Sequence, residues 1–167
     1  MMLRAPDLVD LEEVAQWRVG LGHSLRTTDE IPAGSQRAFY ESVILNRASP
    51  HRYYSVRDNG QHKALVSLEH ISWPNGHAEI GLIVGPLYRG HGIGAEAVRL
   101  VLLRAFNDLR IETVWGETYM CSHAVAFWRK IVEQYHGSSV VWPRRKWWAG
   151  QLYDADLFTI TREGCGL

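Results

Sequence analysis

The chain has 167 residues, of which 46% are hydrophobic and 22% are charged, as expected for a globular domain with a sizeable core. Its 18 Lys and Arg residues balance its 18 Asp and Glu residues, which argues against nucleic acid as an obligatory partner. The chain has only two cysteines, which argues against a disulfide framework. Its eight histidines lack paired metal-ligand spacing, which argues against a metal site, and the absence of a long apolar run argues against a membrane span.

These features predict a single cytoplasmic domain over residues 1–167, whose N-terminal part contains a short strand and two helices. Residues 5–18 (APDLVDLEEVAQWR) combine Asp7 as a cap, acidic residues in the first turn and apolar residues at helical spacing. Residues 35–47 (SQRAFYESVILNR) are the second predicted helix, with Ser35 as its cap.

A meander of strands follows. The turn Asp58-Asn59-Gly60 lies between the β-prone segments 52–57 and 63–72, which predicts a hairpin. A second turn at residues 73–76 leads into residues 77–84 (HAEIGLIV), which are predicted to form a strand.

The second half of the chain alternates between helical and strand patterns. The predicted elements are a helix at 95–109, a strand at 112–119, a helix at 122–135 capped by Ser122, and strands at 138–142 and 152–161 around the loop 143–151 (PRRKWWAGQ). This order predicts an α+β fold in which a mixed sheet is flanked by helices, because strands and helices do not alternate regularly.

The stretch YRGHGIGAEAV, residues 88–98, joins a predicted strand to a predicted helix. Its glycines leave main-chain N–H groups free to approach an anion at the positive end of the helix dipole. A P-loop is excluded because Gly94 is followed by Ala95 and Glu96, and a dinucleotide fingerprint is excluded because the glycines alternate. Residues 89–94 match [QR]-x-x-G-x-[GA] instead.

On this motif and the order of elements around it, the chain resembles the GCN5-related N-acetyltransferase (GNAT) superfamily over residues 3–161. FWRK at residues 127–130 is similar to the end of the family pattern A-x-x-x-Y-x-K, and Trp17-Arg18 resembles the ribosomal-protein and amino-sugar branches. The resemblance implies a mainly antiparallel central sheet in an α/β/α sandwich, and an N-acetyltransferase domain over residues 1–167. Members of the family often dimerise, so a homodimer is the assembly to test.

The resemblance also implies that acetyl-CoA is the acyl donor and that no metal takes part. The glycine-rich loop would hold its pyrophosphate, and its pantetheine arm would pair with the central strand, where a main-chain N–H can stabilise the thioester oxyanion. The implied cofactor contacts are Arg89, Gly90, His91, Gly92, Ile93, Gly94 and Ala95 in the loop, Leu82, Ile83 and Val84 on the strand, and Trp128 on the last helix.

Two catalytic roles are implied in the same way. Glu79 resembles in its position the glutamate that serves histone-type members as general base, and the alternative is a strand glutamate that pairs with a nearby arginine. Glu69, on the preceding strand, is the reserve base. The usual acid is a tyrosine at the position of Trp128, whose indole does not release a proton, so Tyr119 is the predicted acid, with His123 as another substitute.

Cys121 stands where the family has an asparagine. A nucleophilic cysteine needs a neighbouring base, and His123 is near it in sequence, but a buried or capping cysteine is the favoured interpretation.

The acceptor is predicted to be a small-molecule or peptide amine. An amino sugar that could be nucleotide-linked and a protein N-terminal amine both stay open, and a small antibiotic-type amine comes third. Arg18, Arg26 and Glu69 are the predicted acceptor contacts. Residues 144–148 are either a phosphate clamp or, the favoured interpretation, a hairpin whose tryptophans cover the core. The missing tyrosine keeps a non-catalytic acyl-CoA-binding or sensor protein of the same fold as the alternative.

Overall fold

A computed structural model of the chain describes residues 1–29, 31–32 and 34–167. Its strands are β1 (Met2–Arg4), β2 (Arg52–Asp58), β3 (Gln61–Ser72), β4 (His77–Val84), β5 (Thr113–Tyr119), β6 (Ser138–Trp148) and β7 (Gln151–Thr161). They form one seven-stranded sheet in the order β1-β2-β3-β4-β5-β7-β6, in which only the β4–β5 pair is parallel. The predicted mixed, mainly antiparallel sheet is confirmed.

Helices cover both faces of this sheet. They are α1 (Leu8–Arg18), α2 (Ser35–Phe39), α3 (Ile93–Leu103), α4 (Val125–Gln134) and α5 (Arg162–Cys165), and α2 and α3 continue as the π-helical segments Tyr40–Ile44 and Arg104–Asp108. The larger core lies between the sheet and α3 and α4, and a smaller one lies under α1 and α2. Among the residues that the structure describes, no helix has the length and apolar character needed to cross a membrane.

The start of α1 is fixed by its cap, as predicted. The Asp7 carboxylate accepts a hydrogen bond from the Asp10 main-chain N–H at 2.9 Å, and the Asp10 carboxylate accepts one from the Asp7 N–H at 3.2 Å. The predicted caps of the other two helices are wrong. Gly34, at φ +81°, precedes α2, and Ala124 precedes α4, whereas Ser122 accepts from the Ala124 N–H before that helix begins.

A partly buried polar cluster links α1 to the sheet. Ligand-type atoms of Asp10, Glu13 and His62 lie within 4.8 Å of one another. His62 contacts the Ala64 carbonyl at 2.9 Å and Glu13 at 2.8 Å, and Asp10 is paired with Arg57. Because these atoms already bind one another and the sheet, we interpret the cluster as structural.

Two hairpins show how turn residues set the strand ends. Asn59 and Gly60 have φ of +49° and +79°, so the predicted β2–β3 hairpin is confirmed. The predicted loop at residues 143–151 is wrong, because β6 continues to Trp148 and turns only at Ala149-Gly150. The β6–β7 register shifts between Trp142 and Lys146, so the strand accommodates the residues that suggested a loop.

Candidate active site

Strands β4 and β5 lie side by side only where they begin. Three register pairs join them, the last being Glu79 with Trp115, whereas β4 pairs with β3 as far as Val84 and β5 pairs with β7 as far as Tyr119. The two strands therefore diverge beyond Glu79. One edge of β4, from Ile80 to Val84, keeps main-chain N–H and C=O groups that β5 does not pair. We call this opening the wedge.

The glycine-rich loop follows β4 at the open end of the wedge. Gly90 and Gly92 have φ of +76° and +79°, and apart from their chain neighbours no atom of the described residues lies within 4 Å of the place where a Cβ would be. Gly92 directly precedes α3, and no side chain in the described part of the chain caps that helix. The loop therefore presents bare peptide at a helix N-terminus, which fits a diphosphate.

Other contacts fix the path of this loop. The Arg89 Nε donates to the Val84 carbonyl at 3.1 Å, and the His91 ring contacts the Arg89 carbonyl at 2.8 Å. Gly94 lets α4 approach, because a Cβ there would lie 3.2 Å from the Phe127 ring. Part of the motif thus serves helix packing rather than an anion.

A row of three glutamates crosses the sheet at the vertex of the wedge. Glu69 is the register partner of Glu79, and Glu79 is that of Trp115. Glu117 lies two residues beyond Trp115 and therefore on the same face, which α1 and α2 cover. The side chains of Glu79 and Glu117 are only 11% and 5% exposed, so their charges need partners.

Arg26, from the segment between α1 and α2, joins two of these carboxylates. Its guanidinium contacts both oxygens of Glu79, and its Nε donates to Glu117 at 3.1 Å. Burial alone would lower the pKa of Arg26, but the two glutamates raise it. The alternative in which Glu79 pairs with an arginine is therefore observed. The Arg26 side chain is nevertheless 48% exposed.

Glu117 links this pair to the predicted acid. The Tyr119 hydroxyl donates to Glu117 at 2.7 Å, and the Arg145 Nε donates to it at 3.0 Å. Burial alone would raise the pKa of Glu117, but these hydrogen bonds and the charge of Arg26 lower it. Burial and the contact with Glu117 raise the pKa of Tyr119 to about 12, so its hydroxyl is protonated at neutral pH.

The tip of the β6–β7 hairpin braces the segment that carries Arg26. The buried Lys146 donates to the Leu25 carbonyl at 2.6 Å, and the Trp148 ring packs so closely on Gly22 that a Cβ there would lie 2.7 Å away. Trp147 is 64% exposed. A hairpin is therefore present, but the prediction that its tryptophans cover the core is wrong, because Trp147 is exposed and Trp148 packs on Gly22. The prediction that the basic residues face water is also wrong for Lys146, which is buried, and for Arg145, which binds Glu117.

The remaining predicted residues lie around this centre. Trp128 is in the larger core, stacked on Phe158 with ring centroids 4.9 Å apart, and its role as a cofactor contact stays a prediction. Arg18 ends α1 and is partly buried. The Cys121 thiol donates to the His23 carbonyl, and burial raises its pKa, which opposes a nucleophilic role. The His123 ring packs edge-on against the His23 ring, with centroids 4.9 Å apart.

Three residues at this centre were not predicted. Glu117 could have been found, since it lies two positions before Tyr119 in an alternating strand. Lys146 was assigned to a loop. His70 contacts Glu79 through its Nδ1 at 3.0 Å, but regular alternation would place it on the other face of β3.

The family described as acetyltransferase (GNAT) domain has a sequence model that matches residues 1–125. Solved structures share the fold. One is the spermidine N-acetyltransferase from Vibrio cholerae in complex with CoA and spermine, at 16% identity over 98% of this chain and 96% of that chain, with a TM-score of 0.86. A probable acetyltransferase has 17% identity over 96% and 92%, with a TM-score of 0.73. No curated protein matches the chain.

Proposed function

The chain belongs to the GNAT acetyltransferase family, and from this premise we propose that it moves the acetyl group of acetyl-CoA to the primary amine of a small cationic acceptor. Acetyl-CoA-dependent N-acetyltransfer is given by the family, and the acceptor class is our proposal. We also propose that residues 1–167 form one domain. The wedge carries the proposal, because it has a loop suited to a diphosphate at one end and carboxylates at the other.

The residues present fit the donor. Gly90 and Gly92 leave loop amides bare for the diphosphate, and the free edge of β4 from Leu82 to Val84 has main-chain groups for the amides of the pantetheine arm. When bound, acetyl-CoA supplies an activated thioester. Ile93 and Ala95 lie in the first turn of α3, beside the same amides. The roles of the loop and strand residues as cofactor contacts stay predictions.

The charges at the vertex favour a cationic acceptor. Glu69 accepts from the Ser67 hydroxyl at 2.7 Å and forms no ion pair with any residue that the structure describes. Among the residues that the structure describes, Arg26 and Arg145 are the arginines paired with the three glutamates of the row, and His70 also contacts Glu79. An ammonium group gains from this excess, whereas a phosphorylated or nucleotide-linked sugar is repelled. The shared fold of a protein that binds spermine agrees with this choice.

Glu79 is the proposed base. An incoming ammonium group can take the place of the half-exposed Arg26 guanidinium, which keeps Glu117 as a partner. Glu79 then accepts the ammonium proton, and the freed amine attacks directly while donor and acceptor are both bound. As the C–S bond breaks, Tyr119 is proposed to give its hydroxyl proton to the leaving thiolate, and the second proton that the nitrogen loses on becoming an amide restores the Tyr119 hydroxyl. Direct attack is favoured over an acyl-cysteine because burial raises the pKa of Cys121.

Thiol release with a panel of acceptors tests this proposal. Acetyl-CoA is mixed with spermidine, an amino sugar or a peptide with a free N-terminus, and each acceptor has its N-acetylated form as the control. We expect the polyamine to give the highest kcat/KM. Higher turnover of the sugar or the peptide would contradict the acceptor class. Thermal protection by CoA without thiol release from any amine would contradict catalysis.

A homodimer is supported by the edge of the sheet. Among the described residues, none pairs with the outer side of strand β6, and Val140, Val141 and Trp142 on it are 64%, 59% and 46% exposed. Long apolar edge strands in a soluble protein are normally paired or covered. Sedimentation should give twice the chain mass for the native protein and less for Val140→Lys; a native monomer would contradict the dimer.

A further inference from the structure

His70 lies in an irregular part of β3 that turns its side chain toward the active site. The β3–β4 register shifts between Glu69 and Ser72, and His70 has a φ of +49°. In a regular strand His70 would face away from Glu69 and Glu79, because side chains alternate. The bulge changes this direction, and the His70 Nδ1 lies 3.0 Å from the Glu79 Oε2.

His70 also connects the buried carboxylate with water. Its side chain is 54% exposed, whereas that of Glu79 is 11% exposed. The other partner of Glu79, Arg26, keeps its proton throughout, because its pKa is raised. Of the groups bonded to Glu79, His70 is thus the one whose second ring nitrogen can pass a proton on to solvent.

Charged and titratable groups in the described part of the chain lie near His70. They are Glu79 on β4, Arg26, which binds the same Glu79 oxygen, Glu69 on β3 itself, and His51 in the segment before β2, whose ring lies 5.0 Å from the His70 ring. Burial and the neighbouring His70 lower the pKa of His51, despite the charge of Glu69, so His51 is neutral at neutral pH. The His51 ring accepts the His70 main-chain N–H and does not bond to Glu79.

We propose that His70 relays protons from Glu79 to solvent during turnover, and this role rests on the base function proposed for Glu79. After Glu79 has taken the ammonium proton, its O–H bond breaks as an N–H bond forms on His70. The imidazolium then loses its Nε2 proton to water, which leaves Glu79 as a carboxylate and His70 as a neutral imidazole protonated on Nδ1. Exchange with water moves the remaining proton back to Nε2, so that Nδ1 can accept a proton from Glu79 in the next turnover.

The variant His70→Asn separates the relay from the fold. Asn tolerates left-handed backbone and keeps a polar group near Glu79, but it cannot carry a proton. With saturating acetyl-CoA and the best amine, we expect kcat to fall about 10²-fold near neutral pH. Imidazole in the buffer should restore much of this loss, and CoA affinity should stay unchanged. The control is His51→Asn, which removes the ring next to His70. Its kcat should stay within about twofold of the wild-type value, and imidazole should not change it.

The outcomes separate the relay from the proposed function. An active wild type whose His70→Asn variant keeps its kcat across pH 6–9 overturns the relay alone. A folded variant with lower kcat that imidazole does not raise also overturns it, because a structural role is then sufficient. A wild type that releases no thiol with any amine overturns the proposed function and the relay together.

Discussion

Replacing Glu79 by glutamine removes the proposed base with little change in shape. Glutamine keeps the side-chain volume and can still accept a hydrogen bond from Arg26, but it cannot take the proton of an ammonium group. The structure indicates that this change is tolerated in the fold. Arg26 stays bound to Glu117, and as Arg26 is half-exposed, the lost ion pair costs about 1 kcal/mol of unfolding free energy or less.

The expected effect on catalysis is much larger. A positioned general base contributes about 10² to 10⁴ in rate, which is about 3–5 kcal/mol of activation free energy. We therefore expect Glu79→Gln to lower kcat by at least about 10²-fold, while the calorimetric affinity for CoA stays the same, because Glu79 lies at the vertex of the wedge and not at the loop.

Thiol release between pH 6 and 9 measures this effect, and Glu69→Gln is the matched control. Glu69 lies opposite Glu79 and loses the same charge, but it bonds to Ser67 rather than to Arg26 or His70. This control should raise the KM for the amine and leave kcat within about threefold. If Glu79→Gln keeps kcat within twofold of the wild type at every pH, Glu79 is not the base.

Three further changes probe the loop, the acid and the fold. Gly92→Ala places a side chain at φ +79°, which costs about 1–2 kcal/mol, and it should weaken the CoA affinity measured by calorimetry. The control Gly34→Ala, at φ +81° and away from the loop, should lower stability but leave CoA affinity unchanged. Tyr119→Phe should lower kcat about 10²-fold with CoA affinity unchanged; an unchanged kcat would exclude it as the acid. Asp10→Asn should lower the unfolding free energy by about 2 kcal/mol in urea. Burial alone would raise the pKa of Asp10, but hydrogen bonds from a serine hydroxyl and Arg57 lower it. The Asp10 carboxylate therefore stabilises the folded state above its unfolded pKa of about 3.9, and this stabilisation is lost as the pH falls through its lower pKa in the folded state. The unfolding free energy of Asp10→Asn should not show this loss at acid pH.

Local patterns were enough for most of the fold. The Asp7 cap, the Asn59-Gly60 turn and the strand at residues 77–84 depend on neighbours within a few residues, and each is confirmed. The continuation of β6 through residues 143–148 was missed because a register shift lets the sheet accept residues that usually break a strand. Ser35 and Ser122 failed as caps because the chain enters each helix through another residue.

The site was predictable where it depends on main-chain shape and less so where it depends on distant contacts. The glycine motif gave the loop, and the strand pattern gave the position of Glu79. The ion pair of Arg26 with Glu79 joins residues 53 positions apart, so it follows from no local spacing. The contact of His70 with Glu79 depends on a bulge in β3 that its sequence does not predict.

The central claim is that main-chain amides between Arg89 and Gly94 hold the diphosphate of acetyl-CoA. An ¹⁵N-labelled sample titrated with CoA, and separately with pantetheine, measures this directly. We expect CoA to shift the amide resonances of Gly90, Gly92 and Gly94, and pantetheine, which lacks the diphosphate, to leave them in place. Saturating CoA that leaves these three resonances unmoved would contradict the claim.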